Sequence, residues 1–196
     1  MTTPPALARQ IPGFNAPGVG FEQPFAMLEA CHERVQRTLA LLGRLRDHVR
    51  DHGADEPARQ AARDVLRYFD IAAPLHHEDE ERHVFPPLLA RGAADVVALV
   101  QRLLQDHHHM VADWAAARQP LQALADGRCD ALSAADAAVL DRFAERYARH
   151  IKDEEHVAYP AASHLLPDAT LQAMGQEMAG RRQSPVAGRS GPVSPR

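Results

Sequence analysis

Apolar residues recur every three or four positions along four long stretches of the chain, the period of a helix that buries one face. In the first stretch Phe25, Leu28, His32, Val35, Leu39, Leu42 and Val49 share a stripe, with Pro24 suited to the first turn and Gly53 to the stop. The second predicts a helix from about 55–57 to Ala90, with Ala62, Leu66, Phe69, Ala73, His76, Glu80 and His83 on its seam. Pro74 lies inside it, and an interior Pro costs roughly 3 kcal/mol unless a kink absorbs it, so a bend is expected just before His76. Pro86 and Pro87 should distort or break the last turns.

The third helix is expected from about Ala94 to Ala125, with Gly127 as its stop and Pro120 kinking its far end. Its stripe is the most regular: Val96, Val100, Leu103, His107, Met110, Trp114, Ala117, Leu121 and Leu124. Ser133-Ala-Ala-Asp136 reads as an N-cap for a fourth helix that carries Leu140, Phe143, Tyr147, His150, Glu154 and Val157, and Pro160 is its expected end.

The flanks differ from this core. Residues 1–21 are dense in Pro and Gly and predict an extended arm. The bundle is assigned to 22–166, a short helix to 167–180, and a disordered tail of Pro, Gly, Ser and Arg to 181–196. No stretch alternates β-branched residues as strands do, so the expected fold is all-α, a four-helix bundle with an N-terminal arm and a short C-terminal helix.

Composition narrows the function classes. With 196 residues and 45% apolar side chains the chain can bury one sizeable core, and its net charge of −4 gives no reason to expect nucleic acid or an anionic membrane as partner. Cys31 and Cys129 are too few for a disulfide framework. The N-terminus lacks a basic cluster followed by an apolar run, and no 18-residue apolar segment occurs, so a cytoplasmic location is expected. Composition leaves the oligomeric state open.

The chemistry sits where polar residues interrupt the stripes. His76-His77-Glu78-Asp79-Glu80-Glu81 is echoed by His150-Ile151-Lys152-Asp153-Glu154-Glu155, and in each a His precedes a Glu by four residues, which places both on one helix face. The offsets repeat: His32 to His107 is 75 residues, while His76 to His150 and Glu80 to Glu154 are each 74. Two helical hairpins therefore each contribute one lone His and one His–Glu pair. Buried carboxylates carry a desolvation penalty of several kcal/mol each, which a bound cation removes. Mixed nitrogen and carboxylate donors suit iron, manganese or zinc. Two ions are expected, with His32 and His76 on one and His107 and His150 on the other, or in crossed pairing.

These motifs, CHERV, DHHHM, HHEDEERHVFP and RHIKDEEHVAYP, resemble the hemerythrin-like (HHE cation-binding) family over about residues 25–160. The resemblance implies an up-down-up-down bundle around an oxo- or hydroxo-bridged di-iron centre, with His32, His76, Glu80, His107, His150 and Glu154 as the metal ligands. It differs from the oxygen carriers, which have a second His where Val111 stands and an Asp where Glu155 stands. The four-His, two-Glu set is more similar to a bacterial branch that includes iron-sulfur cluster repair proteins, without their N-terminal cysteine-bearing domain.

Neighbouring residues are assigned lesser roles. His77, His108 and His109 are expected at the surface or behind the ligands, with His108 the rival of His107 in register; His83 is expected as a half-buried helix-end residue. Glu81 and Glu155 are expected to accept hydrogen bonds or stay solvated rather than bind metal, Tyr147 to pack, and Cys31 to be a buried thiol. The leading function is a non-haem di-iron protein that binds or senses oxygen, nitric oxide or peroxide, or handles iron, at a site with an open coordination position. The alternatives are a peroxidase-like di-iron oxidoreductase and a structural or regulatory module stabilised by its metal, zinc included.

Overall fold

The computed structural model describes residues 19–183, and every regular element among them is helical. Helix α1 is Pro24–His52. Helix α2 spans 56–91 as one rod in which α-helical turns are twice interrupted by π-helical ones. Helix α3 is Ala94–Ala125, α4 spans 134–165 with a turn at Arg146 and one π-helical interruption, and α5 is Asp168–Gln183. No helix among the described residues is long and apolar enough to cross a membrane.

Local chemistry sets the ends. Gly53 and Gly127, just past α1 and α3, take φ of 81° and 67°, a region that costs glycine nothing and other residues a Cβ clash. The Asp55 carboxylate accepts the Ala58 N–H at 2.9 Å to start α2. Ser133 and Asp136 cap α4 reciprocally, at 3.1 and 2.9 Å.

The connections 53–55, 92–93 and 126–133 are short, so consecutive helices lie side by side and antiparallel. Helix α1 packs on α2 and α4, and α3 on the same two, closing an up-down-up-down four-helix bundle. Its interior is two apolar clusters. One gathers Val35, Leu42, Phe69, Met110, Leu121, Phe143 and Tyr147, and the other Leu28, Val84, Phe85, Leu88, Leu103, Ala158 and Tyr159. His32, His76, Glu80, His107, His150 and Glu154 are all buried and lie along their helices between these two groups, as a polar layer across the bundle.

Three prolines leave a common mark. Each π-helical segment, Tyr68–Ala72, Glu80–Val84 and Glu154–Ala158, is followed two residues after its end by Pro74, Pro86 or Pro160. Proline has no N–H to give the carbonyl four residues back, and its ring collides with that carbonyl in an α-helix. Widening the preceding turn relieves both problems, with the N–H of Ala73, Phe85 or Tyr159 reaching the carbonyl five residues back. Pro160 therefore does not end α4, which runs on to Leu165.

The extra residue in each wide turn also shifts the register. Val84 and Ala158 face the core where the 3–4 spacing placed His83 and Val157. Val157 is 39% exposed, and His83 instead pairs with Glu177 of α5 at 2.7 Å.

The C-terminal helix runs past residue 180. Arg181 and Arg182, assigned from sequence to a disordered tail, are helical, and both guanidinium groups hold Asp79, whose side chain is wholly buried. Met174 and Met178 are buried, and a Cβ on Gly175 would run into the Phe21 carbonyl. Arg182 lies 5.3 Å over the Phe21 ring, so the segment entering α1 and the C-terminal helix are locked together. Most of the expected N-terminal arm (residues 1–18) and the rest of the expected tail (184–196) lie outside the described residues.

Candidate metal centre

Each side chain of the polar layer reaches the bundle axis for a local reason. His32 lies between Leu28 and Val35 on α1, and His107 between Leu103 and Met110 on α3, so helical period alone turns them inward. His76 and His150 stand one turn before Glu80 and Glu154, each Glu being the first residue of a π-helical turn. His108, the rival in register, is exposed.

The donor atoms form two groups that could each hold a metal ion: His32, His76, Glu80 and Glu154 in one, and His107, His150 and Glu154 in the other. Both carboxylates straddle the groups. Glu154 Oε2 is 3.1 Å from His32 Nε2, while its Oε1 is 2.9 Å from His150 Nε2 and 3.7 Å from His107 Nε2. Glu80 Oε1 is 3.5 Å from His76 Nε2, and its Oε2 is 3.4 Å from His107 Nε2.

The donor atoms thus group His32 with His76 and His107 with His150.

Outer carboxylates orient the lone histidines crosswise. His32 Nδ1 is 2.9 Å from Glu155, and His107 Nδ1 is 2.8 Å from Glu81, so each ring gives its Nδ1 proton to the opposite hairpin and turns the Nε2 lone pair inward. The Asp-Glu-Glu triplet thereby divides its work, its second residue facing the centre and its third holding a histidine from behind. His150 Nδ1 has Asp106 at 3.6 Å. The His77 ring stacks on His107 with centroids 3.9 Å apart, backing that imidazole.

Electrostatics make the layer costly when it stands alone. Burial, reinforced by the Glu154 charge, pushes Glu80 well above the usual carboxylate range. Burial opposes charge on Glu154 as well, but the adjacent His150 imidazolium holds it well below that range. His150 is in turn pushed up to about 9, because Glu154 and Asp106 outweigh its own burial. Burial drives His76 well down.

The geometry of these contacts fits a cation. Both oxygens of Glu154 and Oε2 of Glu80 are buried without a hydrogen-bond partner, although imidazole nitrogens stand within 2.9–3.7 Å of them. His107 Nε2 and His150 Nε2 face each other at 3.1 Å, close enough for both to serve one ion once His150 gives up its proton.

Tyr159 joins the site although the 3–4 spacing does not place it there. It is 2% exposed, its hydroxyl donates to Glu80 Oε1 and lies 3.3 Å from His32 Nε2, and its ring stacks on that of His32. Tyr147 packs away from the centre, against Phe69 and Phe143 at 5.8 and 5.4 Å. The signal that could have found Tyr159 is Pro160, which marks the wide turn that brings it inward. Cys31 is a buried free thiol, pushed up by burial.

Comparison with known proteins agrees with this geometry. A family model described as "Hemerythrin HHE cation binding domain" matches residues 23–162. An uncharacterized protein of Haemophilus influenzae is 32% identical over 163 residues, which cover 83% of this chain and 92% of that protein.

Proposed function

The chain belongs to the hemerythrin HHE cation-binding domain family, and from that premise we propose that it is a non-haem di-iron protein that binds or senses oxygen, nitric oxide or peroxide. One ion would be held by His32, His76, Glu80 and Glu154. The second would be held by His107, His150 and Glu154, with Glu80 also within reach. Iron at these positions would supply Lewis acidity and a one-electron redox couple next to a coordination position that no protein nitrogen fills.

The observation that carries this reading is Glu154, wholly buried, with neither oxygen hydrogen-bonded and both histidine pairs around it. A cation at each of two centres would offset the desolvation of this carboxylate more fully than the His150 imidazolium alone, which stands on one side of it. The chain's own residues do the rest. Glu155 and Glu81 keep the Nε2 lone pairs of His32 and His107 free for metal, and the apolar clusters above and below exclude bulk water. Two free cysteines, Cys31 and Cys129, suit a protein of the reducing cytoplasm.

The test is metal analysis and near-ultraviolet absorption of the protein purified without added metal, before and after anaerobic reduction and return to air. About two irons per chain, with a charge-transfer band that bleaches on reduction and returns, is the result expected from paired sites. A single zinc, or no metal at full helicity, would overturn the proposal.

A further inference from the structure

The 74-residue repeat that doubles the His–Glu motif also pairs Tyr159 with Phe85, since 159 − 74 = 85. The two are structural equivalents as well. Each follows its ligand Glu by five residues, each donates its backbone N–H to that Glu across a π-helical turn, and each is followed by Pro. Both are buried, at 2% and 1% exposure. They differ in one atom, the phenol oxygen.

That atom stands where a ligand would. Donors about 2.1 Å from a common ion and at right angles to one another are about 3.0 Å apart. Around the first centre the separations are 3.1 Å from His32 Nε2 to Glu154 Oε2 and 3.5 Å from His76 Nε2 to Glu80 Oε1. The Tyr159 oxygen lies 3.3 Å from His32 Nε2 and touches Glu80 Oε1, so it takes its place among these donors. At the equivalent position beside the second centre stands the Phe85 ring, 5.5 Å from the His107 ring and without an oxygen.

Resting on the di-iron reading above, we propose that Tyr159 is a direct ligand of the ion held by His32 and His76, and that the centre is therefore asymmetric. The first ion has five protein donors, His32, His76, Glu80, Glu154 and Tyr159; the second has four, His107, His150, Glu80 and Glu154. For six-coordinate ions, one position is left on the first and two on the second, so the exchangeable small ligand binds on the Phe85 side, at the His107–His150 ion. Ligation exchanges the phenol proton for the metal, and the proton leaves to solvent.

The experiment uses the full chain loaded anaerobically with ferrous iron and then oxidised in air. Iron per chain is measured separately from the visible spectrum and the resonance Raman ring modes of a metal-bound phenolate. Wild type should show two irons and a visible phenolate-to-ferric band. Tyr159→Phe should keep both irons and lose the band. The Tyr159→Phe, Phe85→Tyr double variant, which moves the oxygen to the equivalent position, should regain it. Two irons in wild type without phenolate modes, or a band that survives in Tyr159→Phe, would overturn the proposal, as would a double variant that binds two irons and stays colourless. A chain that takes up no iron at all would overturn the di-iron reading itself, and this inference with it.

Discussion

Asp79 offers a sharp test of the fold, because its carboxylate is 0% exposed while Arg181 and Arg182, which neutralise it from α5, are only 15% and 10% exposed. Removing both guanidinium groups with Arg181→Ala and Arg182→Ala strands a buried carboxylate. Breaking a buried ion pair from one side costs about 3–5 kcal/mol, chiefly the desolvation of the charge left behind. At about 2–4 °C per kcal/mol for a domain of this size, the thermal midpoint should fall by about 6–20 °C. Adding Asp79→Asn to the same background removes the stranded charge and should recover most of the loss, which is a double-mutant cycle read by calorimetry or circular dichroism. A loss below about 1 kcal/mol, the worth of an exposed pair, would refute the argument that α5 is held by a buried charge cluster.

Three further outcomes follow from the polar layer. Glu154→Ala, which removes oxygens facing both histidine pairs, should empty both metal positions, whereas His76→Ala should leave the His107–His150 position filled; metal analysis separates the two, and equal losses would contradict the shared carboxylate. Glu155→Gln and Glu81→Gln should each weaken metal binding about 10–100-fold through loss of histidine orientation, measured by competition with a chromophoric chelator, with helicity unchanged. Metal present at 100 times its dissociation constant stabilises the fold by about 2.7 kcal/mol, so stripping it with chelator should lower the midpoint by about 5–11 °C, and an unmoved midpoint would count against a cation in the core.

Much of this was legible along the chain because helices are local objects. The stripe period, the Gly53 and Gly127 stops and the Ser133 cap each act within a few residues, and the observed bounds of α1 and α3 follow them closely. The six polar interruptions were readable for the same reason. A His four residues before a Glu shares its face in any α-helix, and the bundle brings all six into one buried layer. Two features were not readable this way. Arg181 and Arg182 have the composition of a solvated tail, and only the docking of α5 beside the buried Asp79 gives them partners about a hundred residues away. Tyr159 falls off the 3–4 stripe, so period alone assigned the inward position to Val157.

The division between the two sources has a physical cause. Helix existence, the amphipathic faces and the doubled His–Glu motif depend on spacing, and spacing is written in the order of residues. Whether a proline bends a helix, ends it or widens a turn depends on what the neighbouring helices demand. Pro120 sits within the α-helical Ala94–Ala125, yet Pro86 and Pro160 follow wide turns that begin at Glu80 and Glu154. Each of these wide turns advances the register by one residue. That single step, invisible to a 3.6-residue period, puts Phe85 against one half of the centre and the Tyr159 hydroxyl into the other.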